Sequence, residues 1–344
     1  MPLRCCTNTL PASPHNGDHP IEAPLLVGMP NPLSIMRSPD LNTPRGGPVK
    51  NKAKPPLTPS RYAAYEGEDY EIECVLGRGA FGMVTLCRSV HDDSLVAMKT
   101  IDRFRLHTDL LRKAVMREIH VLKSVIPPHA GIVPLLKVIE TPRSIHLVCA
   151  YESGGTLQDR VSEEGALAEV EVVPIARQLT AAVEHLHAHR VCHRDLKLDN
   201  CVLDEARQVV RLIDFGLSTV WKAADGGRSG DSSNVPPPLL TKVAGSLAYM
   251  APEMIQRKGY QGSQVDMWSL GCVIAALLGG ELPFQSRNEA MMRGRIAEGS
   301  FVIPTWKSLS EEAKGFVSGL LVVAPDDRLT AEGARRRAWL EIEF

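Results

Sequence analysis

Through residues 1–60 apolar positions follow neither a period of 2 nor one of 3.6, and 13 of the chain's 25 prolines fall there. Such a stretch buries too little apolar surface to offset chain entropy, so residues 1–67 are expected to form a disordered proline-rich arm. From Tyr70 onward short β-rich runs alternate with turns, predicting strands over residues 70–76, 83–88, 95–101, 132–138 and 145–149. Between the third and fourth, Leu111, Val115, Ile119 and Leu122 recur at helical spacing, predicting one helix over residues 109–125. After Gly154-Gly155 the pattern turns helical, with long segments near residues 172–189, 263–278, 289–297 and 310–321. The expected fold class is α+β: a small antiparallel sheet lobe with one helix over about 68–152, then a larger, mainly α-helical lobe over about 153–344. Within the second lobe, the Gly-, Ser-, Asp- and Pro-rich stretch between Trp221 and Leu240 reads as a long surface loop.

Charge and cysteine usage narrow the function by exclusion. The 344 residues carry 39 Lys and Arg against 40 Asp and Glu, a net charge of -1, so no global field steers the chain to nucleic acid, a membrane surface or an acidic polymer. Eight scattered cysteines form no C-x-x-C pair, which indicates neither a zinc site nor a disulfide framework and fits a reducing compartment, cytoplasmic or nuclear. The N-terminus lacks the apolar stretch of a signal peptide, Pro2 stands where myristoylation needs a glycine, and Cys5-Cys6 is only a weak acylation signal. The longest largely apolar run, residues 267–278, is shorter than the roughly 20 residues needed to cross a bilayer and reads as a buried helix. In the arm, Ser13-Pro14, Ser38-Pro39, Thr43-Pro44 and Thr58-Pro59 are candidate sites for proline-directed kinases, and Lys50, Lys52 and Lys54 a weak nuclear signal; a solvated linker is an equal reading.

The chemistry begins at Leu76-Gly77-Arg78-Gly79-Ala80-Phe81-Gly82-Met83-Val84, a G-x-G-x-x-G pattern that alone is ambiguous. A dinucleotide-binding loop would open a helix, whereas here the next residues are strand-like and lead to a further strand, Val96-Ala97-Met98-Lys99; no G-K-[ST] follows either. The glycines therefore read as the tip of a β-hairpin whose backbone N–H groups approach phosphate oxygens. Lys99 at the end of its strand reads as a ligand of the α- and β-phosphates, held by Glu118 of the following helix; separately each has the bland reading of an exposed charge.

The strongest segment is Val191-Cys192-His193-Arg194-Asp195-Leu196-Lys197-Leu198-Asp199-Asn200, with Asp214-Phe215-Gly216 after it. With these motifs in order, residues 69–342 resemble the eukaryotic protein kinase family, serine/threonine branch, in a style nearest the calcium/calmodulin-dependent-like group. The resemblance implies a two-lobe fold and transfer of the γ-phosphoryl group of Mg²⁺-ATP to serine or threonine hydroxyls of proteins. It assigns the substrate hydroxyl to Asp195, the γ-phosphate to Lys197, the two Mg²⁺ ions to Asn200 and Asp214, and nucleotide contacts to residues 76–82, Val84, Ala97, Lys99, Cys149, Tyr151 and Val202. Met250-Ala251-Pro252-Glu253 matches the family's A-P-E element with Arg328 as its ion-pair partner, and Asp266 matches the helix aspartate that anchors the catalytic loop. His193, Phe215 and Leu122 resemble members of a packed apolar column.

Several positions depart from the pattern. Cys149 stands at the gatekeeper position and Ala150 where many relatives have glutamate; Thr156 replaces a glutamate that reads basic substrates, leaving Asp199 as one remaining negative charge; Ser246 and Leu247 replace the usual threonine and proline. Arg194 implies control by activation-loop phosphorylation, with an upstream kinase acting at Thr241, Ser232 or Ser233. Two rivals remain: a catalytically dead scaffold, which would normally have lost Lys99, Asp195 or Asp214, and a small-molecule kinase, which would not need the peptide-docking elements.

Overall fold

The computed structural model describes residues 65, 67–78, 82–221 and 239–343, together with the backbone of Leu26–Val27. The expected disordered arm therefore lies almost wholly outside the described residues, and so do Gly79, Ala80, Phe81, Ser232 and Ser233. The exceptions are Tyr65 and Gly67, with the Tyr65 ring packed edge-on against Tyr70 and His146, and β1 (Leu26–Val27), which runs parallel to β11 (Ala244–Gly245) in the second lobe.

The first lobe is a five-stranded antiparallel sheet, ordered β2-β3-β4-β6-β5, from β2 (Tyr70–Arg78), β3 (Gly82–Ser89), β4 (Leu95–Asp102), β5 (Leu135–Glu140) and β6 (Ser144–Ala150). The central strands are buried on both faces: Val84, Cys87, Met98 and Val148 are inaccessible to solvent. One face of the sheet packs on α1 (Asp109–His120), whose Val115 and Ile119 meet Ile101, Ile145 and Leu147. Thr108 caps that helix by accepting from the N–H of Leu111. The helical run predicted to residue 125 changes pitch at Val121, continuing as a wider π turn over Val121–Val125.

The fourth strand starts later than the pattern suggested, because Pro134 removes a ladder donor. Ile132 instead bridges to Leu212, and Val133 N–H donates to the Leu212 carbonyl, so this segment stitches the sheet lobe to the second lobe. Gly82 has a reason of its own in the hairpin: a Cβ there would lie 1.7 Å from the Thr100 carbonyl oxygen of β4, so only glycine permits that strand spacing.

The second lobe comprises α2 (Leu157–Glu164), α3 (Glu169–Ala188), α4 (Pro252–Ile255), α5 (Gly262–Gly279), α6 (Glu289–Glu298), α7 (Glu311–Leu320) and α8 (Ala331–Arg335). Between them lie three short pairings: β7 (Val191–Cys192) with β10 (Thr219–Val220), β8 (Cys201–Leu203) with β9 (Val210–Leu212), and β1 with β11. Helix α2 was not expected; a reciprocal cap between Thr156 and Asp159 starts it. Helix α5 is apolar all round and long enough by length and composition to span a membrane, but 89% of it is buried inside the protein, as the core reading of its sequence anticipated.

One buried ion pair ties the end of this lobe to its middle. Arg328 donates to both Glu253 oxygens at 2.8 and 3.0 Å, to the carbonyls of Gln264 and Val322 at 2.7 and 3.0 Å, and stacks over Trp268. Removing one partner leaves an uncompensated buried charge. Arg328→Met is thus expected to lower stability by about 3–5 kcal/mol, while Glu253→Gln/Arg328→Met recovers part of it; urea unfolding of the three proteins checks this, and an unchanged midpoint for the single variant would refute it.

Candidate active site

Between the two lobes lies a cleft with about 530 Å³ of open space. Its roof is Val84 and Ala97 from β3 and β4, its floor Val202 and Leu212 from the β8–β9 hairpin, and its rear Leu147 and Cys149 from β6. Of the residues expected there, Val84, Ala97, Lys99, Cys149, Val202 and Asp214 line it, and Leu76 is buried against the same apolar group. Tyr151 packs against the apolar group that includes Leu76, Val84, Ala97 and Val202, while its neighbours Ala150 and Glu152 line the cleft. Burial lifts the Cys149 thiol to about 12, so it is a protonated, unreactive group at neutral pH.

At the inner end three charges share one buried point. Lys99 Nζ donates to Glu118 Oε1 and Oε2 at 2.7 and 3.0 Å and to Asp214 Oδ1 at 2.9 Å. Burial works against the ammonium, but the Asp214 and Glu118 carboxylates outweigh it and raise the Lys99 pKa. Burial likewise works against the Asp214 carboxylate, and the adjacent Lys99 overcomes it and holds Asp214 below its ordinary value. For Glu118, burial together with the nearby Asp214 charge wins over Lys99 and pushes it up. Two carboxylates compete for one ammonium, so they titrate as a set.

The catalytic-loop candidates sit on the other side of this triad. Asn200 Nδ2 donates to the Asp195 carbonyl and to Oδ2 at 2.7 and 3.1 Å, and Lys197 Nζ lies 3.3 Å from the same carboxylate. Lys197 also donates to Ser246 Oγ at 3.3 Å, joining the substituted position in the following loop to the loop of Asp195. Burial raises the Asp195 pKa; Lys197 opposes it and Asp214 adds to it. The loop is anchored from below by Asp266, whose oxygens accept the N–H groups of His193 and Arg194 at 2.9 and 2.7 Å. His193 is fully buried, stacks on Phe215 at 4.9 Å and bonds the Ile213 carbonyl at 3.0 Å, a packing role like the one expected of it.

Asn200 and Asp214 are brought together by the β8–β9 hairpin. Its Cys201↔Leu212 register continues one step further, with Ile213 N–H donating to the Asn200 carbonyl at 3.0 Å, so both residues stand at its open end. A carboxylate and an amide side chain there offer the hard oxygen donors that suit a divalent ion such as Mg²⁺.

Of the remaining participants, Arg194 and Thr156 stood out in the sequence, whereas His187, Arg117 and Arg211 had no signal there. His187 Nε2 lies 3.0 Å from Asp266 Oδ2, supporting the anchor from α3; with Cys192 these side chains place potential ligand atoms within 4.8 Å of one another. Arg194 is held by the Lys242 carbonyl and the Tyr260 hydroxyl, both at 3.0 Å and both neutral. Arg117, the residue before Glu118 on α1, donates to the Ser218 carbonyl, its one hydrogen bond among the described residues, and its pKa is lowered by burial and by the nearby Arg194 cation. Arg211 pairs with Glu152 at 2.7 Å at the cleft mouth. Thr156, which stands in place of a glutamate that would read basic substrates, caps α2.

Comparison with known proteins agrees with this geometry. A family model described as protein kinase domain matches residues 70–340. The chain is 37% identical over 300 residues, 87% of its length and 54% of the relative's, to a putative CBL-interacting protein kinase 13 of Oryza sativa subsp. japonica. It is 35% identical over 274 residues to the serine/threonine-protein kinase SIK2 of Gallus gallus, covering 80% of this chain and 32% of that protein. A probable serine/threonine-protein kinase MARK-A of Dictyostelium discoideum is 36% identical over 273 residues, 79% of this chain and 24% of that one. The chain spans about half the length or less of these relatives.

The charge triad has a testable pH signature. Asp214 is held low in the folded state, so its contribution is present above the unfolded carboxylate range and lost as pH falls through its depressed value. Lys99→Met leaves two buried carboxylates unpaired, whose folded pKa values then lie above the unfolded ones. The variant is expected to be destabilised most at pH 7 and progressively less toward pH 5; denaturant midpoints at both pH values check this, and an equal loss at both would contradict it.

Proposed function

The chain belongs to the protein kinase family, and on that premise we propose that it transfers the γ-phosphoryl group of Mg²⁺-ATP to serine or threonine residues of proteins. The observation that carries this reading is the Lys99 ammonium shared by Glu118 and Asp214, facing Asp195, Lys197 and Asn200 around one cleft. A scaffold has no need to keep three costly buried charges in register; phosphoryl transfer, which depends on positioning and electrostatics, does.

Bound Mg²⁺-ATP supplies the phosphoryl group, with its charge neutralised by divalent ions. Asn200 and Asp214 are the residues to hold those ions, and Lys99 the α- and β-phosphates. Val84, Ala97 and Val202 enclose the base between lobes, and Ala150 and Glu152 line the cleft at the end of β6. Asp195, oriented by Asn200 and Lys197, receives the proton of the attacking hydroxyl; its raised pKa improves it as an acceptor. Lys197 stabilises charge gathering on the transferring group, and its bond to Ser246 ties that step to the loop that docks the peptide.

Regulation is proposed through the same loop. Arg194 and Arg117 lie near each other, and among the described residues their side chains bond neutral groups, an arrangement that favours a dianion. Thr241, exposed and adjacent to the Lys242 whose carbonyl Arg194 holds, is the first candidate for phosphorylation by an upstream kinase. A preference for basic substrates rests on Asp199 alone.

Transfer of labelled γ-phosphate to a mixed protein substrate is expected from the wild type, on phosphoserine or phosphothreonine, and to fall at least about 100-fold in Asp195→Asn. Absence of transfer despite ATP binding, also after treatment with activating kinases, would assign a scaffold instead. If Thr241 is the control point, pre-treatment raises the wild-type rate and leaves Thr241→Ala at its untreated level.

A further inference from the structure

Strand β1 belongs to neither lobe's own pairing. Leu26 pairs with Ala244 and Val27 with Gly245, in parallel, so a segment more than 200 residues away in sequence adds itself to the edge of β11. That edge is next to the reacting side chain. Gly245 has φ +100°, and a Cβ on it would lie 2.8 Å from the Arg194 carbonyl oxygen and 3.5 Å from Asp195 Oδ1. Ala244, Gly245 and Ser246 also wall a second cavity, with about 220 Å³ of open space, that includes Arg194 and Asp195. An extended peptide delivering a hydroxyl to Asp195 must pass along this edge, where backbone pairing gives affinity without reading side chains.

The sequence around β1 is that of an occupant that cannot react. No serine, threonine or tyrosine occurs between Ser13 and Ser34. Ser34 is seven residues beyond Val27, so neither paired residue nor its near neighbours in sequence carry a phosphoacceptor hydroxyl. Pro24, Pro30 and Pro32 flank the strand, and each lacks the N–H that a longer ladder would need. The pairing is thereby kept short, and a short pairing is displaceable.

We infer that the segment at Leu26–Val27 is an intramolecular competitor for the peptide-binding edge of this kinase, pairing where substrate pairs and offering no phosphoacceptor. The inference rests on the phosphotransfer reading of the site. Two paired residues bind weakly on their own, but tethering supplies an effective concentration in the millimolar range, enough to compete with a peptide and not to abolish turnover. The effect falls on the KM for the protein substrate, and neither on the KM for ATP nor on kcat.

The test uses the full chain carrying Leu26→Pro/Val27→Pro, which removes the N–H that faces β11, whichever residue supplies it, at residues outside the catalytic machinery. Hydrogen exchange is expected to show protection within Leu26–Val27 and within Ala244–Gly245 in the wild type, and loss of the protection within Ala244–Gly245 in the variant. A fluorescent peptide of residues 20–33 is expected to bind the variant about three- to tenfold more tightly than the wild type. The variant's KM for a serine peptide should fall by the same factor, with KM for ATP unchanged. Intrinsic exchange rates at all four amides, or equal peptide binding by both proteins, would overturn the inference. Protection that grows with protein concentration would also overturn it, since the strand would then come from a second copy. Exchange and peptide binding need no turnover, so a chain that transfers no phosphate defeats the phosphotransfer reading while these two results still decide the strand.

Discussion

One buried ammonium organises the cleft. Lys99 comes from the sheet, Glu118 from the helix packed on that sheet, and Asp214 from the segment that follows the second lobe's hairpin, and all three meet at hydrogen-bond distance. None of these charges can be left alone out of water at tolerable cost, so the position of each element is conditional on the other two. Gly216 sharpens the constraint, because a Cβ there would stand 3.2 Å from Asp214 Oδ1 and 3.5 Å from Glu118 Oε2. Helix α1 therefore cannot swing away without exposing or orphaning a charge, and the geometry of the site is set by electrostatics before any nucleotide arrives.

The second lobe repeats the device with different partners. Asp266, fully buried in an otherwise apolar helix, spends both oxygens on the backbone of the catalytic loop, with His187 behind it. Glu253 and Arg328 do the same for the loop after the activation segment. Hydrophobic packing makes the lobe compact, but it is direction-blind. Directional bonds to buried charges are what fix where Asp195 and Ser246 stand relative to each other.

The sheet, the long helices and the motif residues were legible because their signals are local: alternation, helical spacing, and short runs of chemically specific side chains. Where a residue's role depends on what crosses over it, the sequence was silent or misleading. Gly82 reads in the sequence as a glycine for phosphate; that Thr100 of the adjacent strand leaves no room for a side chain there shows only in three dimensions. Ala150 and Glu152 line the cleft beside the expected Cys149, although neither carried a signal as a lining residue. Helix α2 begins on a cap between Thr156 and Asp159, a polar exchange that the sequence pattern did not reveal. Arg117, His187 and the strand at Leu26–Val27 act through partners between 77 and 218 residues away, a relation that no window along the chain contains.

Two of the residues nearest the chemistry, Arg194 and Asp214, have φ of 68° and 63°, in the left-handed region that side chains with a Cβ occupy at a cost of about 1–3 kcal/mol. Glycine would sit there without that backbone strain. It would also take a carboxylate from the buried Lys99 ammonium and a donor from the Lys242 carbonyl and the Tyr260 hydroxyl. The backbone at these two positions is thus held in a disfavoured conformation by the bonds its own side chains make, so each side chain both requires the strain and sustains it.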